Sequence, residues 1–160
     1  TYSPRIVLYQ LRYLDLNLKT KFAVLKEYER SFGFLYIRID NFDQFKNQEG
    51  KAATEELLKL VARTLLNNVS SHDTVAHWSD TEFAMLLSRS DTAEIRKEAE
   101  TIRILLEKSD LNLAGEVLEF TASIGAYQAQ MIDEPESIAD KVETMKLELA
   151  NVTNGVYFLQ

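Results

Sequence analysis

The side chains best placed to do chemistry fall in two short stretches. Arg38 and Asp40 close a β-rich run, Phe34–Asp40, and Ser79-Asp80-Thr81-Glu82 separates two further β-rich runs, Thr74–Trp78 and Phe83–Leu87. Carboxylates gathered where strands end are the donors that a hard divalent cation and phosphoryl chemistry require. Other chemistries have less to work with. The two histidines, His72 and His77, stand five apart with no evident ligand set, and the absence of cysteine excludes disulfides, thiolate metal sites and cysteine catalysis. Asp40 also suits a strand-end residue that accepts backbone bonds. Trp78, at the head of the Ser79–Glu82 tip, suits packing, with partner anchoring as the alternative. The acidic run Asp133–Glu136 reads as a helix N-terminus favoured by the macrodipole.

The elements that must position these residues follow from periodicity. Phe22, Leu25 and Tyr28 predict a helix over Lys19–Arg30, after an apolar and aromatic stretch, Thr1–Leu14, expected as a helical lead-in. Alternation in Phe34–Asp40 puts Phe34, Tyr36, Arg38 and Asp40 on one face and Leu35, Ile37 and Ile39 on the other. Ala53, Leu57, Val61 and Leu65 stripe a helix over Lys51–Val69, and the next two runs make a hairpin with a polar tip. Asp91 with Glu94 outlines a capping box for a helix through Ile95, Ala99, Ile102 and Leu106. Glu119–Ala129 alternates as a strand, Ile138, Val142, Met145 and Leu149 stripe a last helix, and Val156–Leu159 closes as a strand. The order from Phe34 predicts an α/β (α+β) fold on the split β-α-β-β-α-β plan, a mainly antiparallel sheet flanked by helices. That plan brings Arg38 and Asp40 toward the Ser79–Glu82 tip.

Composition bounds the rest. At 160 residues, 46% hydrophobic and 27% charged, the chain has ordinary globular statistics and bulk enough for one buried core. Eighteen basic against 25 acidic residues give a net charge of −7, which repels a phosphate backbone and argues against nucleic-acid binding. No apolar run approaches the ~20 residues of a membrane span, and no signal-peptide pattern opens the sequence, so a cytoplasmic domain without direct membrane contact is expected.

His77-Trp78-Ser79-Asp80-Thr81-Glu82-Phe83 resembles the hairpin on which GGDEF domains, the diguanylate cyclases, carry Gly-Gly-Asp/Glu-Glu-Phe. Ile39-Asp40-Asn41-Phe42 resembles that family's strand-end Ile-Asp-x-Phe, and Ser123-Ile124-Gly125 its Ser-Ile-Gly strand; Gly50, Leu58 and Ala62 match its helix spacing. The resemblance spans about Leu14 to Phe158. It implies a palm-like cyclase fold and, in active members, Mg²⁺ and GTP as the cofactor and substrate of a reaction that makes cyclic di-GMP.

On the same resemblance, the ligand-touching positions have changed. Arg38 stands where the metal-binding strand aspartate belongs, Thr81 replaces the first acidic signature residue, and only Glu82 survives. At an assumed ~5 Å and an effective dielectric of about 20, a guanidinium opposes Mg²⁺ by roughly 6–7 kcal/mol. Ser79 and Asp80 replace the signature glycines. Lys46 and Glu55 correspond to the guanine-reading asparagine and aspartate, and Asp43 to a phosphate-facing lysine. Lys146 lies near the phosphate-binding lysine of the last helix. The product-inhibition Arg-x-x-Asp corresponds to Ser70-Ser71-His72-Asp73, which lacks the arginine.

The expectation is therefore a helical lead-in from an upstream domain over residues 1–14 and a degenerate GGDEF-like domain over 15–160. No catalytic residue, metal or cofactor is expected, with Arg38 pairing with Glu82 in the vacated metal position. Such a domain would act on protein partners, on neighbouring domains of its parent chain or as a homodimer. Nucleotide sensing through Glu55 and Lys146, without turnover, is the alternative; an active cyclase is the remote one.

Overall fold

The computed structural model describes residues 11–160, with side chains from Leu14 onward. Helix α1, Leu11–Tyr28, buries Leu14, Leu18, Phe22 and Leu25 along one stripe and ends before Glu29, whose φ is 54°. The lead-in read over residues 1–14 lies outside the described residues as far as residue 10. From Leu11 the helix runs unbroken past residue 14.

Strand β1, Gly33–Ile39, is apolar on both faces because helices cover both sides of the sheet. Leu35, Ile37 and Ile39 pack against the stripes of α3 (Lys51–Asn67) and α4 (Thr92–Glu107), while Phe34 and Tyr36 pack against α1 and α5 (Ser137–Leu149). The remaining strands are β2 (Thr74–His77), β3 (Glu82–Leu87), β6 (Ala122–Gln128) and β7 (Val156–Leu159). They give the order β2-β3-β1-β6-β7, antiparallel except for the β6–β7 pair. This is the mainly antiparallel sheet with flanking helices that the sequence predicts.

Two elements were not predicted. Helix α2, Phe42–Glu49, has no fully buried residue and leans Phe42 and Phe45 on the core. A small hairpin joins β4 (Leu111–Leu113) to β5 (Glu116–Leu118) through Ala114 and Gly115, both at positive φ. In the Ser123-Ile124-Gly125 strand, a Cβ on Gly125 would lie 2.5 Å from Met145 Sδ, so the glycine lets α5 pack close to the sheet.

Candidate functional site

Register sets the site. β1 and β3 place Arg38 directly opposite Glu82, at the sheet end where the β2–β3 tip folds back through Trp78 N–H and Ser79 N–H donating to Glu82 O. Trp78 packs edge-on against Phe34, with ring centres 6.1 Å apart, in line with the packing reading.

Glu82 is held from three sides. The Tyr36 hydroxyl donates to Oε2, the Ser79 hydroxyl to Oε1 at 2.7 Å, and the Lys146 ammonium of α5 stands 3.5 Å from Oε2. Burial alone would raise its pKa, but these hydroxyls and the ammonium outweigh that and hold it below the usual carboxylate value. The same arrangement raises the Tyr36 pKa, by burial first and then by the bond to anionic Glu82. Lys146 also pairs with Glu143 at 3.2 Å and lies 5.9 Å from the Tyr36 ring centre.

Arg38 does not pair with Glu82. Its Nη2 donates to Leu149 O at 2.6 Å and Val152 O at 3.1 Å, capping the C-terminus of α5, and stands 3.8 Å from Asp40. The expected pair fails because α5 ends against β1 and offers carbonyls to the guanidinium, while Lys146 from the same helix reaches Glu82 first. Asp40 turns inward: its carboxylate accepts from Thr121 Oγ1, Ser123 Oγ and Asn154 N, each at 2.7 Å.

A groove of about 510 Å³ beside this cluster is lined by Arg38, Asn41, Asp43, Gln44, Thr81 and Glu82, among others. Asp43, Thr81, Arg38 and Glu82 are thus brought together, whereas Lys46 and Glu55 sit exposed on α2 and α3 outside that lining. Asp80 is exposed at the tip, and Thr81 N–H donates to Ser79 Oγ at 3.3 Å. At the far end of β2, Ser70 is exposed. The Asp73 carboxylate, 1% exposed, accepts from Ser88 N, Ser88 Oγ and Arg89, which also pairs with Glu98. That remnant is a fastener between β2 and the chain after β3. His77 stacks on Phe83 and stands 3.2 Å from Ser79 O through Nδ1. Burial lowers its pKa, against the bond to Ser79 and the charge of Asp80.

The family model for the diguanylate cyclase GGDEF domain matches residues 7–151. The chain belongs to the GGDEF domain family. Diguanylate cyclase DosC of Escherichia coli (strain K12) is 30% identical over 116 residues, 72% of this chain and 25% of the relative. Diguanylate cyclase A of Treponema denticola is 25% identical over 118 residues, 73% of this chain and 32% of the relative. The chain therefore spans about a quarter to a third of the curated relatives. Among solved structures, Pseudomonas aeruginosa diguanylate cyclase SiaD in complex with its activator SiaC superposes with a TM-score of 0.89 at 18% identity, over 95% of this chain and 59% of that one. The GGDEF domain of Caulobacter crescentus DgcB in complex with c-di-GMP gives 0.88 at 19%, over 94% and 88%.

GGDEF chemistry implies a divalent cation, which takes oxygen donors with lone pairs to spare. At this GGDEF site Asp40 is 3% exposed and already accepts three hydrogen bonds, and Glu82 carries two hydroxyls and an ammonium. Among the described residues no three acidic or histidine side chains are grouped to hold a metal. The donors present do not fit the ion. Sequence reasoning missed Tyr36 and Lys146 as the partners of Glu82. Tyr36 was visible on the Arg38 face of β1, but nothing local to Lys146 signalled its reach.

Proposed function

We propose that this chain is a catalytically inactive GGDEF domain that works through protein contacts, regulating neighbouring domains of a longer signalling protein of the cyclic di-GMP type. The observation that carries this reading is the engagement of Glu82 by the chain's own Tyr36, Ser79 and Lys146, with Arg38 fastened beside it to the end of α5. A cation entering the groove would have to displace Lys146 and approach a fixed guanidinium, both electrostatically opposed. The scaffold supports contact functions independently of that site: the sheet and both cores are intact, and relatives carry such a domain as a minor part of their length.

Incubation with GTP and Mg²⁺ followed by chromatography of the products tests this. No cyclic di-GMP is expected; turnover that Glu82→Gln abolishes would overturn the proposal. The groove supports one second reading, nucleotide binding without turnover, because about 510 Å³ lies open beside Thr81 and Glu82. Calorimetric titration with GTP separates the two: micromolar binding without product favours the second.

A further inference from the structure

The loop that enters β7 carries the chain's single Asn-Gly pair, Asn154-Gly155. The fold asks for both residues. Asn154 holds a φ of 51°, in the left-handed region that asparagine tolerates better than most side chains. A Cβ on Gly155 would lie 2.8 Å from Val152 Cγ1, so a larger residue would push Val152 aside.

The same pair is chemically labile. Asparagine is a thermolabile side chain, and a following glycine leaves the next main-chain nitrogen unshielded. Once Gly155 N gives its proton to hydroxide, it can attack Asn154 Cγ. The new N–C bond closes a five-membered imide, the Cγ–Nδ2 bond breaks, and the nitrogen leaves as ammonia with a proton from water. A second water opens the imide to aspartate or isoaspartate. Asn154 and Gly155 are only half-buried, so water reaches them.

Contacts on both sides oppose that step. Arg103 Nη1 donates to Asn154 Oδ1 at 2.8 Å, and Asn154 Nδ2 donates to Glu107 Oε2 at 2.9 Å, so α4 grips both ends of the amide. Asn154 N donates to the buried Asp40 at 2.7 Å and Gly155 O accepts from Ile124 N at 2.9 Å, which pins the main chain before and after the reacting atoms. Bringing Cγ onto Gly155 N means turning the amide away from α4. The carboxylates of Glu107 and Asp40 also disfavour a second anion at Gly155 N. Arg103 is itself directed, bonding Glu100 at 2.6 Å and standing 3.6 Å from Glu107.

We propose that Asn154 is a deamidation site of this protein and that Arg103 and Glu107 of α4 restrain it. Conversion would set a carboxylate at 154 against Glu107 and Asp40. The isoaspartyl form would also add a main-chain carbon between the Asp40 bond and β7. The same loop offers Val152 O to Arg38 and to Ser123, so a converted chain loosens the end of the sheet where Glu82 stands. The inference does not depend on whether the domain turns over nucleotide.

The test follows the amide-to-acid conversion at Asn154 in the 160-residue chain, by peptide mapping and mass spectrometry during incubation in mildly alkaline buffer. Folded wild type is expected to convert at least about tenfold more slowly than the chain unfolded in guanidinium chloride. Arg103→Leu should speed the folded rate about tenfold, because it frees Oδ1 and releases Glu107. Glu107→Ala, at an exposed helix end, should speed it about fivefold, and Glu107→Gln, which keeps an acceptor, by less. Ile102→Val, a core change on the same helix, should leave it unchanged.

Equal rates in the folded and unfolded chain overturn the proposal, as does no conversion at Asn154 in either. Unchanged or slower conversion in both Arg103→Leu and Glu107→Ala overturns it too, since those groups would then be idle or promoting the attack. So does acceleration by Ile102→Val equal to that by Glu107→Ala, which would make general opening of the fold the controlling event.

Discussion

Two carboxylates sit on adjacent strands at the same end of the sheet and are used in opposite ways. Asp40 is 3% exposed and joins β1 to β6 and to the approach of β7, through Thr121, Ser123 and the Asn154 backbone. Glu82 is 20% exposed and is held entirely by side chains, from Tyr36, Ser79 and Lys146. Both lie where the family's resemblance leads one to look for chemistry, yet one is part of the fold and the other is a neutralised surface charge. A carboxylate's place in a motif says little about whether its lone pairs are free; its donors decide that.

The comparison breaks most sharply at Asp40. Asp40→Ala leaves the Asn154 amide without its acceptor and the buried Ser123 hydroxyl with only the longer 3.3 Å bond to Val152 O, and should cost about 3 kcal/mol in urea denaturation. A loss below about 1 kcal/mol would place Asp40 with Glu82 as dispensable.

Arg38→Met comes next. It keeps an unbranched stem but removes two donors from the carbonyls of Leu149 and Val152, so α5 loses its cap. About 1–2 kcal/mol is expected, with Arg38→Lys recovering part of it. Equal stability of wild type and Arg38→Met would mean that solvent satisfies those carbonyls unaided.

These two residues also show what the sequence made legible. Alternation assigned both faces of β1, the helical stripes of α4 and α5 match the buried residues one for one, and that of α3 matches four of six, with Thr54 and Ala62 buried beside it, because core burial imposes its period on the chain. The β4–β5 hairpin escaped because Ala114 holds a φ of 51° where Asn would have announced the turn. Helix α2 escaped because Phe42 and Phe45 are its only apolar residues, too few to mark a stripe. At the site, the predicted plan brought Arg38 toward the Ser79–Glu82 tip, and the structure sets it opposite Glu82. The plan misassigned the ion pair because the competing partners, the α5 carbonyls and Lys146, come from more than 60 residues away in sequence. Only packing brings them there.

The smallest effect belongs to Glu82, and pH resolves it. Its pKa in the fold lies below the ordinary value of 4.5, so the unfolded chain takes up the proton first. Its stabilisation is therefore complete above that value and is lost as pH falls through the lower folded one. Glu82→Gln should cost under about 1 kcal/mol at pH 7, since a partly exposed charge keeps much of its solvation. The variant should also unfold with a shallower acid slope below pH 4.5. His77 destabilises the fold in a separate window: held neutral by burial, it lets the unfolded chain protonate first as pH drops below 6.5. His77→Gln should flatten stability between that value and the onset of the Glu82 region while leaving the lower limb unchanged. If Glu82→Gln instead flattened the upper window, the two titrations would be coupled through Ser79, which bonds to both side chains, and Glu82 would be tied to the tip as closely as Asp40 is to the core.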